Sequence, residues 1–140
     1  MEWEQLLSTK RSRGAPGKAR YVKSADLRSE FEKDYHRIIG SASFRRLQDK
    51  TQVFPLDKSD FIRTRLTHSL EVSSFAKSLG QNIGENILVY KKDSGFTPRM
   101  KEDICNILQC AGLIHDIGNP PFGHFGETSI REWFVRNLPI

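Results

Sequence analysis

The sequence predicts an all-α fold in which a small bundle of helices surrounds a metal site. Apolar residues recur every three or four positions over residues 25–39, 64–91 and 98–117, which is the period of a helix with one buried face. The last two of these segments each place a histidine on the apolar stripe. No stretch of alternating polar and apolar residues is long enough to require a large sheet.

The first predicted helix covers residues 25–39 and begins after Ser24, whose hydroxyl can accept a hydrogen bond from the first turn. Gly40 is expected to end this helix. A short helix is predicted over residues 41–47, followed over residues 48–61 by a polar connection or small hairpin. The predicted inward stripe of the first helix comprises Leu27, Phe31, Tyr35 and Ile38.

Two further helices each direct a histidine toward an apolar interior. The second of them is expected to begin at Pro98 after a Thr97 cap, since proline suits the first helical turn. Gly118 and Pro120 should end it just past Asp116. The predicted stripes are His68, Val72, Phe75, Leu79 and Ile83 on one helix and Met100, Ile104, Leu108, Ala111 and His115 on the other.

His68, His115 and Asp116 together indicate a metal site. Neutral imidazole and carboxylate are ligands that divalent metals accept. A single histidine on an apolar face is more often an ordinary core residue. Two such histidines and an adjacent aspartate at a helix end favour the metal site instead, because aspartate is rarely buried unpaired.

A second imidazole and carboxylate pair, His124 and Glu127, follows a Gly/Pro turn. At three residues' separation the two side chains share a helix face or a tight turn, and neither is needed as a metal ligand. They are therefore candidates for proton transfer. The alternative is that Glu127 is a helix-start carboxylate that stabilises a helix over residues 128–137.

Three longer blocks carry a family resemblance. They are FRRLQDKTQVFPL at residues 44–56, RTRLTHSLEV at residues 63–72 and HDIGNPPFGHFGE at residues 115–127. In order and spacing they resemble the bacterial deoxyguanosinetriphosphate triphosphohydrolases (dGTPases) of the HD phosphohydrolase superfamily. The resemblance covers residues 24–134 and implies an HD-domain helical bundle over residues 24–140.

The resemblance implies metal-dependent hydrolysis of dGTP, or of dNTPs generally, to a deoxynucleoside and inorganic triphosphate. Manganese or magnesium is the expected ion, and iron and zinc are also admissible for a His/Asp site. Arg65 lies three residues before His68, on the same helix face, and can reach a phosphate. The implied site comprises the metal ligands His68, His115 and Asp116, the catalytic pair His124 and Glu127, and the substrate-binding residues Gln52, at the sugar 3′-hydroxyl, Arg65 and Asn119, at the phosphates.

One departure from the family concerns the fourth metal ligand, an aspartate well downstream of the HD pair. The sequence has no aspartate after Asp116 and reaches only Ile140. We therefore expect it to be the N-terminal portion of a longer enzyme, and the isolated 140 residues are not expected to turn over substrate. A site that lacks one anionic ligand should also bind metal less tightly.

The net charge of +5 and the isoelectric point near 9.4 suit a polyanionic partner. The basic excess is strongest in residues 10–20, and residues 1–23 are predicted to be a mobile basic arm. Single-stranded DNA is a hypothetical partner for this arm. The sequence contains neither a membrane span nor a secretory signal, and Cys105 and Cys110 are expected to be reduced thiols of a cytoplasmic protein. The resemblance further implies a homo-oligomer.

Two other functions stay open at the level of the sequence. Another HD-type nucleotide phosphohydrolase would share the three metal ligands but would have no need of the Gln52 block or of His124 and Glu127. A non-catalytic fragment that binds nucleotide or single-stranded DNA is the second alternative. Inorganic triphosphate as product distinguishes the favoured function from the first, and binding without turnover would favour the second.

Overall fold

The computed structural model describes residues 2–10, 26–50, 63–91, 93–120 and 122–138. These ranges contain helices and no β-strand, which confirms the all-α prediction. A 3₁₀-helix over Arg46–Asp49 follows the third α-helix, and a π-helical turn over Ile87–Lys91 follows the fourth. The α-helices are α1 (Trp3–Leu6), α2 (Glu30–Gly40), α3 (Ala42–Arg45), α4 (Arg65–Asn86), α5 (Pro98–Ile114) and α6 (Gly123–Asn137).

Helix α2 begins five residues later than predicted, at Glu30. The Ser29 hydroxyl accepts from the backbone N–H of Glu32, and the Glu32 carboxylate accepts from the backbone N–H of Ser29. This reciprocal capping box satisfies two N–H groups that a helix start leaves unpaired. The predicted start at residue 25 was wrong, because residues 26–29 are not helical, and the predicted cap Ser24 lies outside the described residues. Leu27 is 95% exposed and is not part of an inward stripe.

Helices α4 and α5 pack against each other through small residues. A Cβ added at Gly112 would lie 2.5 Å from the Cα of Ser73. A Cβ added at Gly80 would lie 3.1 Å from the Cα of Cys105. The Ser73 hydroxyl donates to the carbonyl of Gln109 across the same contact at 2.9 Å. Close packing of the two backbones therefore sets the short distance between α4 and α5.

The predicted apolar stripe of α4 does not face this contact. Phe75 is 77% exposed and Leu79 is 56% exposed, whereas the buried residues of α4 include Ser69 and Ser73. The prediction was wrong because the close approach of the two backbones admits only small side chains on the facing surface. His68 shares the misassigned stripe, and it is accordingly half-buried at the surface of the protein.

A small apolar core lies beside the first turn of α4 and the end of α5. Phe44, Leu47 and Leu113 are its buried members, and residues of α2 and the start of α4 pack around them. The short helix predicted for residues 41–47 is present as α3, with the 3₁₀-helix extending it to Asp49. The core therefore joins the two helix ends that carry the predicted metal ligands.

The start of the chain packs against the connection between α4 and α5. Trp3 is buried, its ring lies 4.7 Å from that of Phe96, and its Nε1–H donates to Asp93 at 2.9 Å. This contact was not predicted from the sequence. Residues 11–23 of the proposed basic arm lie outside the described residues, and the division of the chain at residue 23 stays a prediction.

Cys105 is buried, and the Cys110 Sγ lies 3.7 Å from the carbonyl oxygen of Phe31. Burial raises the pKa of the Cys105 thiol, so this group has little tendency to ionise. Among the described residues, no helix is both long and apolar enough to cross a lipid bilayer.

Candidate metal centre

The structure brings His68, His115 and Asp116 together. Each offers one ligand atom, and these atoms lie within 4.8 Å of one another. The two imidazole rings meet edge to face, with centroids 5.2 Å apart. Two nitrogens and a carboxylate oxygen at this separation can coordinate one divalent ion.

Local capping places His68 on the first turn of α4. The Thr64 hydroxyl accepts from the backbone N–H of Thr67, so that the helix begins at Arg65 and His68 is its fourth residue. The side chain is thereby held near the end of α4 that meets the end of α5, rather than along the middle of the helix.

His115 is the residue that caps the C-terminal end of α5. Its Nδ1 lies 2.8 Å from the carbonyl oxygen of Gly112. Since a carbonyl can only accept, Nδ1 carries the proton and Nε2 is left with a lone pair. Metal-binding histidines commonly donate their other ring N–H to a backbone carbonyl, which fixes the tautomer in this way. His115 is exposed rather than buried as predicted, because it lies beyond the last helical residue, and an ion can approach it.

Asp116 has one occupied and one free carboxylate oxygen. Its Oδ1 accepts from Arg65 Nη1 at 3.1 Å and from Asn119 Nδ2 at 3.0 Å. Its Oδ2 is buried and has no hydrogen-bond partner among the described residues. A buried, unpaired carboxylate oxygen is costly unless a cation or a donor satisfies it. The donor set and this free oxygen fit a divalent metal ion.

Arg65 is itself buried and forms an ion pair with Asp116. The charges of these two side chains cancel each other. A divalent ion would leave a net charge of about +2 with neutral histidines, and such a positive centre in a low-dielectric site attracts phosphate. The sequence prediction that Arg65 meets a phosphate stays a prediction, because the observed partner of its guanidinium is the carboxylate.

His124 and Glu127 lie on the first two turns of α6, with His124 Nδ1 3.2 Å from Glu127 Oε2. The His124 side chain is almost fully exposed. A Cβ built on Gly123 would lie 4.0 Å from Arg65 Nη2, so the start of α6 is next to the metal centre. Since α6 begins at Gly123 and has no acidic residue in its first turn, Glu127 is not the helix-start carboxylate of the alternative interpretation.

Sequence reasoning did not foresee the contact between Asn119 and Asp116. Gly118 has a φ of +88°, a left-handed conformation that glycine adopts without strain, and it turns the chain back so that the backbone N–H of Asn119 also reaches the Asp116 carbonyl. The spacing Asp-x-x-Asn was the available signal. Gln52, the predicted contact of the sugar, lies outside the described residues.

The helical fold and the His/Asp centre define the class of protein. A family model described as HD domain matches residues 65–138, from the first residue of α4 to the end of α6. This match covers more than half of the chain, and the protein belongs to the HD-domain family.

Curated relatives confirm the resemblance drawn from the three sequence blocks. The chain is 61% identical over 138 residues to a deoxyguanosinetriphosphate triphosphohydrolase-like protein of Listeria innocua, a match that covers 99% of this chain and 29% of the relative. It is 49% identical to a protein of the same name from Synechocystis sp., covering 97% of this chain and 30% of the relative. A deoxyguanosinetriphosphate triphosphohydrolase of Yersinia enterocolitica is 40% identical, with 99% and 27% covered. The chain thus spans less than a third of the length of these relatives.

Proposed function

We propose that this chain carries most of the metal centre of a dNTP triphosphohydrolase. The complete enzyme would hydrolyse dGTP, or dNTPs more generally, to a deoxynucleoside and inorganic triphosphate. The observation that carries the proposal is the buried Asp116, which presents a free Oδ2 beside His115 and His68. The similarity to proteins named for this activity supports the substrate class.

His68, His115 and Asp116 would hold the ion, for which manganese or magnesium is the preferred candidate and iron or zinc an alternative. When bound, a divalent ion makes water a better nucleophile at neutral pH and offsets negative charge on the phosphoryl oxygens. A fourth protein ligand, proposed to be an aspartate of the longer enzyme, would complete the centre.

The remaining residues act on the substrate. Water attacks the α-phosphorus and its oxygen becomes part of the triphosphate, while the bond from this phosphorus to the sugar 5′-oxygen breaks and the deoxynucleoside departs. The departing sugar oxygen needs a proton, which we assign to His124. Glu127 Oε2 accepts from His124 Nδ1, which orients the imidazole ring and leaves Nε2 for the proton transfer. Arg65 and Asn119 are assigned to the phosphates and Gln52 to the sugar 3′-hydroxyl.

The proposal also covers the partner, the location and the assembly of the complete enzyme. The net charge of +5 supports a polyanionic partner, and we assign residues 10–20 to single-stranded DNA. We also propose that the complete enzyme is a cytoplasmic homo-oligomer.

Product analysis tests the reaction. The chain is incubated with dGTP and Mn²⁺, and the products are separated by ion-exchange chromatography, with the full-length Listeria innocua relative assayed in parallel. Deoxyguanosine plus intact triphosphate, lost on His115→Ala or Asp116→Ala, supports the proposal, and no product from the chain while the relative forms both would mean that the chain is an incomplete half of the site. His36→Ala is the matched control, since His36 is an exposed histidine on α2 outside the metal-binding group.

Two other outcomes point to the alternative functions. Orthophosphate or a nucleoside monophosphate as product would contradict the proposed reaction and favour another HD-type phosphohydrolase. Nucleotide binding that is unchanged by Mn²⁺, without turnover by the chain while the relative is active, favours a non-catalytic binding fragment.

A further inference from the structure

Asn119, which the proposed function assigns to the phosphates, also makes two contacts with Asp116 that this assignment does not explain. Its side-chain Nδ2 donates to Asp116 Oδ1 at 3.0 Å, and its backbone N–H donates to the Asp116 carbonyl at 3.3 Å. Two contacts with the same residue are more than a phosphate-binding side chain requires. They tie Asn119 to the aspartate rather than to the open surface.

We propose that Asn119 is a positioning residue that determines which oxygen of Asp116 is offered to a divalent ion. This inference rests on the metal centre of the proposed function. With Oδ1 held by Asn119, the carboxylate cannot rotate freely about its last bond. Oδ2 is the oxygen that remains free, and it is buried without a partner among the described residues.

The orientation of the amide follows from the chemistry of its partner. An ionised carboxylate oxygen only accepts, so the group that faces Asp116 must be the NH₂ of Asn119. The amide oxygen then points elsewhere, and it too is buried without a partner in the described part of the chain. The side chain thus supplies one N–H to the metal ligand and keeps its second N–H and its amide oxygen for a water molecule or a ligand.

Asn119 and Arg65 contact the same oxygen but differ in charge. The Arg65 guanidinium carries a positive charge that repels a nearby cation, whereas the amide of Asn119 is neutral. Asn119 can therefore hold the carboxylate when the ion is present without weakening the attraction between Asp116 and the ion. Because both donors take Oδ1, the arrangement favours coordination of the ion through Oδ2 alone.

Gly118 makes the contact geometrically possible. Its φ of +88° returns the chain toward the end of α5, so that the short side chain of Asn119 reaches back three residues. An alanine at position 119 is too short to reach. A leucine fills a similar volume and cannot donate.

The test is Mn²⁺ binding by the 140-residue chain, measured by electron paramagnetic resonance. The free-ion signal gives the affinity, and the spectrum of the bound ion reports the symmetry of its ligands. Asn119→Ala and Asn119→Leu are each expected to weaken binding about 10- to 100-fold and to alter the bound-ion spectrum. Asn86→Ala, at an exposed asparagine that ends α4, should leave both unchanged.

Circular dichroism of each variant shows whether the helices are retained, and Asn119→Leu keeps the test valid if Asn119→Ala does not fold. Wild-type affinity and an unchanged spectrum in a folded Asn119 variant would overturn the inference and leave the metal centre intact. Wild-type chain that binds no Mn²⁺, or binds it equally after His115→Ala, would overturn the metal centre itself. The two failures are therefore distinguishable.

Discussion

Arg65 Nη1 lies 3.1 Å from Asp116 Oδ1, and both side chains are about nine-tenths buried. The ion pair joins the first residue of α4 to the residue that follows the cap of α5. Burial of two charges is costly, and their attraction offsets this cost only while both partners are present. The stability of the contact between the start of α4 and the end of α5 therefore depends on the cation that faces Asp116.

Arg65→Met should lower the free energy of unfolding of the metal-free chain by about 3–5 kcal/mol, because it leaves a buried carboxylate without its cation. Saturating Mn²⁺ should recover part of this loss, since an ion bound to the native state replaces the missing charge and stabilises by mass action. Urea denaturation with and without Mn²⁺ measures both quantities. Arg63→Met is the control, because Arg63 is exposed and 3.6 Å from Glu71. An equal loss with and without Mn²⁺ would contradict the link between the pair and the metal.

Gly112→Ala should destabilise the contact between α4 and α5. The added Cβ would lie 2.5 Å from the Cα of Ser73, and backbone cannot move aside as a flexible side chain can. Overpacking of this kind costs about 1–3 kcal/mol or more. Thermal unfolding followed by circular dichroism measures the change. Gly40→Ala, where a Cβ would meet nothing within 4 Å, should be neutral or slightly stabilising. Similar melting temperatures for the two variants would count against close backbone packing.

The same contact shows why the sequence predicted the helices but misplaced one of their faces. Periodicity identified residues 64–91 as helical, and α4 occupies Arg65–Asn86 of that segment. The apolar stripe through Phe75 and Leu79 then appeared to be the inward face, but both residues are more than half exposed. Inward residues such as Ser73 and Gly80 carry little hydrophobicity, and their role depends on how close the partner backbone comes. The distance between the two backbones depends on the tertiary structure and cannot be read from the local sequence.

The grouping of His68, His115 and Asp116 was predictable for a different reason. His115 and Asp116 are adjacent at a helix end, and such a pair has few structural explanations, so chemistry alone singled them out. The contacts that orient them, from Gly112 and Asn119, depend on the path of the chain after α5. The left-handed Gly118 sets that path, and a glycine in the sequence does not reveal the sign of its φ.

Phe122 is held in a left-handed conformation, with a φ of 66°, just before α6. A residue with a Cβ pays roughly 1–2 kcal/mol for this conformation, whereas glycine adopts it freely. Phe122→Gly should therefore be about 1 kcal/mol more stable than Phe122→Ala, which retains the strain. Phe122 is 87% exposed, so little buried area is lost in either variant. Chemical denaturation of the two variants gives the difference. An alanine variant as stable as the glycine variant would show that the turn is not strained.

Ionisation of Asp103 should make the free energy of unfolding fall as pH rises, whereas most carboxylates make it rise. Burial raises its pKa, and the nearby Arg99 only partly opposes this effect. Its Oδ1 is buried without a hydrogen-bond partner in the ranges described. Because the folded pKa lies above the unfolded one, the folded chain binds the proton more tightly. The contribution of Asp103 to the free energy of unfolding is therefore lost as pH rises through the unfolded and then the folded pKa.

Asp103→Asn removes the ionisation and should be more stable than the wild type at neutral pH, with the difference shrinking below the usual aspartate pKa, where both side chains are neutral. Urea denaturation from pH 3 to pH 8 measures the difference at each pH. Glu102→Gln alters the adjacent, exposed carboxylate and should show only a small change across the range, since exposed ion pairs such as that with Arg99 contribute little. A constant difference between Asp103→Asn and the wild type at every pH would mean that the stabilisation comes from packing or hydrogen bonding rather than from the charge.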